Sequence, residues 1–113
     1  MSGITTHVLD TSRGKPAAAV PIVLHVAHGS EWIEIGRGVT DSDGRLRTLV
    51  SAGLTLERAA YRLVFETGAY FRAQGVEGFF PSVQIDFMVR DPAQHHHVPL
   101  LLSPFGYSTY RGS

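Results

Sequence analysis

The sequence contains no cysteine. Disulfides, thiolate metal sites and a cysteine nucleophile are therefore excluded together. It has no excess of charge of either sign, with ten Lys plus Arg against ten Asp plus Glu. No net positive field exists to gather phosphates, so nucleic acid is not expected as a partner. Long apolar runs are missing too: the longest aliphatic stretch is Leu100 to Leu102, far too short to span a bilayer. Met1 to His7 lacks the basic start and apolar stretch of an export signal, which makes the cytoplasm the expected location and leaves no membrane role.

What is present suits a folded domain. Hydrophobic residues make up 43% and charged residues 18% of 113 positions, a composition unlike that of disordered chains. That length fits one domain, 1–113, burying roughly two-thirds of its unfolded surface. Short alternating stretches separated by Gly, Pro, Asp and Ser predict an all-β antiparallel sandwich of seven to eight strands. Ile4 to Asp10 sets Ile4, Thr6 and Val8 against Thr5, His7 and Leu9, which turns His7 away from the core. Val20 to Ala27 and Trp32 to Val39 read as a hairpin about His28-Gly29-Ser30. The turn formers Asp41-Ser42-Asp43-Gly44 deliver Arg45 to a short strand, Leu46 to Val50. Leu54 to Ala60 reads as loop, Tyr61 to Glu66 as strand, and Val83 to Val89 as a half-buried strand. One short helix is expected through Ala69 to Gln74, capped by Thr67 and ended by Gly75.

Ser103-Pro104-Phe105-Gly106 reads as the loop of a final hairpin that pairs Leu102 with Tyr107. Counting back sets Leu101 opposite Ser108, Pro99 opposite Tyr110 and His97 opposite Gly112. His95, His97, Pro99, Leu101, Ser108 and Tyr110 then share an outer face, with Val98, Leu100, Leu102, Tyr107 and Thr109 toward the core. His97 is the prime candidate for acid-base work, because a neutral imidazole can take a proton from water and return it to a leaving nitrogen. His7 could supply a second such group. Arg45 could grip a carbonyl-rich ligand with its fork of donors. Each also has a plain reading as a solvated surface residue. His7, His95 and His97 could alternatively hold a catalytic zinc, although no carboxylate or cysteine accompanies them at a recognisable spacing.

Four segments carry a resemblance: THVLDTSRGKPA, TDSDGR, YRLVFETGAYF followed by FFP, and the closing HHHVPLLLSPFGYSTYRGS. Together they resemble the 5-hydroxyisourate hydrolases of the transthyretin-like family, which end in YRGS after an H-x-HVPLLLSP stretch. Transthyretin shares the strand order but lacks the histidines, the arginine of TDSDGR and the YRGS ending. The resemblance implies a transthyretin-like sandwich, a homotetramer built as a dimer of dimers, and hydrolysis of 5-hydroxyisourate in urate degradation without metal or organic cofactor. It implies catalytic roles for His7, Arg45, His97 and Ser113, with His95, Tyr110, Arg111 and Gly112 shaping the substrate site. Relatives commonly carry tyrosine where this chain has His96. The competing expectation is a transthyretin-like carrier that binds a small molecule without chemistry.

Overall fold

The alternation at the start of the chain becomes strand β1 (Gly3–Asp10), whose burial alternates strictly, with Ile4, Thr6, Val8 and Asp10 inward. The computed structural model describes residues 3–51 and 53–113. Within them β1 is followed by β2 (Lys15–Pro16), β3 (Pro21–His28), β4 (Glu31–Val39), β5 (Arg45–Leu46), β6 (Ala59–Phe65), helix α1 (Thr67–Ala73), β7 (Val83–Val89), β8 (His95–Ser103) and β9 (Gly106–Thr109). They form two sheets, one ordered β2-β1-β8-β9 with β5 also on β1, the other β4-β3-β6-β7. Ile22, Leu24, Leu63 and Phe65 of one sheet face Val8 and Leu100 of the other, all essentially inaccessible to water. Full burial of each such side chain is worth about 1.5–3 kcal/mol, so the shared core is what holds the layers together. No helix among the described residues is long and apolar enough to cross a membrane.

The all-β sandwich with one short helix is as expected, with some differences of detail. There are nine strands among the described residues, because the dipeptides β2 and β5 also pair with β1. The strand expected over Leu46 to Val50 is only Arg45–Leu46. Beyond it the chain leaves the first sheet, and the Leu49 carbonyl lies directly against Gly36 of β4. One pairing is parallel, β1 with β8, over its full length from Gly3↔His95 to Asp10↔Leu102. Thr67 is not the cap of α1: Glu66 holds that position without a side-chain bond, and Thr67 is buried in the first turn. Gly75 does end the helix, with a left-handed φ of +69° and bonds from the Gly75 and Val76 N–H groups to the Arg72 and Phe71 carbonyls.

Helix α1 is tied to β1 by the buried carboxylate of Asp10, which accepts a 2.7 Å bond from the Tyr70 hydroxyl and a 2.6 Å bond from Ser12 Oγ. Burial pushes the Asp10 carboxyl up, but the donors of Ser12, Tyr70 and the Arg13 backbone outweigh it and hold it below the ordinary value. The closing hairpin has the expected register, Leu102↔Tyr107 and Leu101↔Ser108, around a tight Pro104-Phe105 turn. Tyr107 and Thr109 are exposed rather than in the core. They belong to an edge strand that the second sheet does not cover, and Tyr107 instead meets the ring of Phe80 edge-on.

Candidate active site

Parallel pairing of β1 and β8 sets Thr5 beside His97 and His7 beside Pro99. Side chains alternate across a strand, so Gly3, Thr5, His7, His95 and His97 all share the outer face. The Thr5 hydroxyl lies 2.8 Å from His95 Nε2 and 2.8 Å from His97 Nδ1, joining the two rings through one oxygen.

Arg45 reaches this face from the other side of β1, where it pairs with His7. Its turn is clamped by Asp41, whose Oδ1 accepts from the backbone N–H groups of Asp43 and Arg45 at 2.8 and 3.0 Å. Those bonds, the Arg45 one foremost, hold the Asp41 carboxyl below its ordinary value. Gly44 is needed here: its φ is +74°, and a Cβ would stand 2.4 Å from the Val8 carbonyl oxygen.

The tail returns to β8 at one point. Pro99 has no N–H to give, and the β8–β9 ladder lapses after Leu100↔Thr109. It resumes as the bridge His97↔Gly112, with Gly112 N–H donating to the His97 carbonyl at 2.8 Å. Gly112 passes so close that a Cβ would lie 2.6 Å from His97 Cδ2 and 3.2 Å from Pro99 Cγ. Ser113 is thereby brought to the histidines. Thr5, Arg45, Arg47, His95, His97 and Ser113 line a pocket of about 480 Å³.

Burial lowers the pKa of His97, and the charges of Arg45, His7 and His95 lower it further, against a backbone hydrogen bond with Thr5 that raises it. The ring is therefore neutral at physiological pH, as a base must be. His7 flanks the pocket on the same face, close enough for its charge to be felt by His97, without being one of the lining residues.

Tyr110 and Arg111, expected to shape the same site, are not brought to it. Because the ladder lapses at Pro99, both turn to a second groove of about 300 Å³, lined also by Ile85, Phe87, Met88 and His96. Arg111 Nη2 donates at 3.3 Å to Gln94 Oε1 and to the His95 carbonyl. His7, His95 and His97 do not assemble as a zinc site, since His95 and His97 both turn to Thr5, and no three His, Cys, Asp or Glu side chains gather around a metal position among the described residues. The residue that sequence reasoning missed is Thr5. Its alternation with His7 placed it on the right face, but only the β1–β8 pairing puts it between the histidines.

A sequence profile of the HIUase/Transthyretin family matches residues 4–112. The chain belongs to that family. Within the HIUase/Transthyretin family it is 47% identical to a 5-hydroxyisourate hydrolase of Caulobacter vibrioides over 117 residues, covering 100% of both chains. It is also 47% identical to a probable 5-hydroxyisourate hydrolase of Caenorhabditis elegans, covering 99% of this chain and 82% of that one. Among solved structures, the Klebsiella pneumoniae 5-hydroxyisourate hydrolase matches with a TM-score of 0.85 at 40% identity over 100% of each chain. Transthyretin from Sparus aurata matches with a TM-score of 0.90 at 30% identity, over 99% of this chain and 97% of that one. The backbone is thus common to both branches of the family, and function has to be argued from the side chains in the pocket.

Proposed function

We propose that the chain is a hydrolase that opens the six-membered ring of 5-hydroxyisourate to 2-oxo-4-hydroxy-4-carboxy-5-ureidoimidazoline, a step of urate degradation. The observation that carries this reading is the convergence of neutral His97, Thr5, His95, Arg45 and Ser113 on one pocket. His97 removes a proton from water as the oxygen adds to the ring carbonyl. Arg45 holds the carbonyl oxygen and stabilises the negative charge that develops there. The ring C–N bond then breaks, and the proton held by His97 passes to the leaving nitrogen. His7 helps position the water, and Ser113 extends the hydrogen-bond path from the tail. Water, imidazole, hydroxyl and guanidinium suffice for every step, so no metal or organic cofactor is invoked.

The test is turnover of freshly generated 5-hydroxyisourate, followed by ultraviolet absorbance against its spontaneous decay, with and without chelator. Decay no faster than the background would overturn the reading, and loss of activity with chelator would return the zinc alternative. A carrier without catalysis is the second reading, favoured by the 0.90 TM-score to Sparus aurata transthyretin. It predicts ligand binding with no turnover, and a pocket containing two histidines and two arginines speaks against it.

Residues 1–113 form one hydrolase domain in this proposal, which acts in the cytoplasm as a homotetramer of two dimers. The sheet face bearing Leu101 alongside the site supports burial at the dimer–dimer contact. Full activity in a monomer at low concentration would remove the tetramer from the argument.

A further inference from the structure

Thr5 has one hydroxyl proton and two ring nitrogens at 2.8 Å, so its two bonds cannot be alike. If it donates to His95 Nε2, it must accept from His97 Nδ1–H, and His97 Nε2 is left with a bare lone pair. If it donates to His97 Nδ1, the proton of neutral His97 sits on Nε2 and the ring cannot act as a base there. Taking a proton from water turns His97 into an imidazolium that carries N–H on both nitrogens. Only the first arrangement survives that change without rotating the hydroxyl. Nε2 of His97 makes no protein hydrogen bond among the described residues, leaving it for the ligand.

We infer that Thr5 is a positioning residue: its hydroxyl, held by His95 Nε2, keeps the proton of neutral His97 on Nδ1 and presents Nε2 to the substrate. The relay runs from His97 Nδ1–H to Thr5 Oγ1, and from Thr5 O–H to His95 Nε2. His95 is accordingly an acceptor that acts through Thr5, not a second base. Thr5 can do this because β1 and β8 are parallel neighbours with Thr5 and His97 in register. The arrangement resembles an acid–base pair oriented by a third group, with a hydroxyl and an imidazole in the place usually filled by a carboxylate.

The role of this relay in turnover rests on the hydrolase reading; the position of the proton does not. Thr5→Val keeps the branched shape at the strand position and removes the hydroxyl, whereas Thr5→Ser keeps it. Imidazole nitrogen chemical shifts of the full chain at neutral pH report the tautomer, and assays on fresh 5-hydroxyisourate report kcat and KM. The expected result is Nδ1–H at His97 in the wild type and the Thr5→Ser variant, and a shift toward Nε2–H in Thr5→Val. With it, kcat of Thr5→Val falls about 10- to 100-fold at nearly constant KM, and Thr5→Ser recovers most of it. A wild-type His97 with its proton on Nε2 would overturn the inference, as would an unchanged tautomer in Thr5→Val, whether or not kcat fell. A Thr5→Ser variant as impaired as Thr5→Val would point to packing instead and also overturn it. Wild-type protein without turnover would sink the hydrolase reading, and the nitrogen shifts would still decide the relay.

Discussion

His96 and His97 are consecutive, carry the same ring, and have their pKa values lowered first by burial. They face opposite sides of β8 and meet different surroundings. His97 finds Thr5 on Nδ1 and, beyond it, a pocket that Arg45, Arg47 and Ser113 also line. His96, only 4% exposed, has a buried Nδ1 without a hydrogen-bond partner and borders the largely apolar groove of Ile85, Phe87 and Met88. Loss of hydration and neighbouring positive charge lower both rings alike. What separates a candidate base from a packed ring is a partner that orients it and a space where a substrate can sit.

The strongest way to break this comparison is His97→Asn. It should lower kcat by about two to four orders of magnitude, the usual scale of general acid–base help, with little change in melting temperature. Wild-type turnover in that variant would leave His97 no more chemical than His96. Gly112→Ala tests whether the tail sets the ring: its Cβ must push His97 Cδ2 or lift the tail away. A loss in kcat of roughly 10- to 100-fold is expected, since small misplacements at a reacting group cost that much.

His96→Leu approaches from the other side. Removing the buried, unpartnered nitrogen should raise stability by about 1 kcal/mol in urea unfolding, and turnover should stay at the wild-type level. A large loss of activity would mean that the second groove participates in the chemistry.

The smallest expected effect is that of pH. Both histidines have folded-state pKa values below the ordinary 6.5. Above that value both are neutral in the folded and unfolded chain and contribute nothing. As pH falls below it, the unfolded chain binds protons that the folded chain refuses, so stability should decline between pH 7 and 5. The His96→Leu variant should lose less over that interval, which unfolding curves at each pH would reveal. For the same reason the acid limb of kcat/KM should have its midpoint below 6.5. A midpoint above it would contradict a half-buried, positively surrounded base.

Much of this was legible along the chain because it is local. A tight turn at Pro104-Phe105 fixes the register of the strands on either side, so Leu102↔Tyr107 and His97↔Gly112 follow from counting. The same count placed Tyr110 on the face of His97, and there it went wrong. Pro99 cannot donate to the ladder, and counting assumes a ladder without gaps. Similarly, Tyr107 and Thr109 alternate onto the inner face, but alternation says nothing about whether an opposing sheet extends far enough to cover them.

Read along the chain alone, the residues show which of them could do acid–base chemistry, which face of its strand each occupies, and where the closing hairpin turns. These depend on residue type, period two and turn geometry, which act over a few neighbours. The folded sheets are needed to show that β1 lies parallel to β8 with Thr5 beside His97, that β5 brings Arg45 to His7, and that Tyr110 and Arg111 line the second groove instead. Strand partners about ninety residues apart are selected by how two whole sheets bury their inner faces together, and no local pattern encodes that choice.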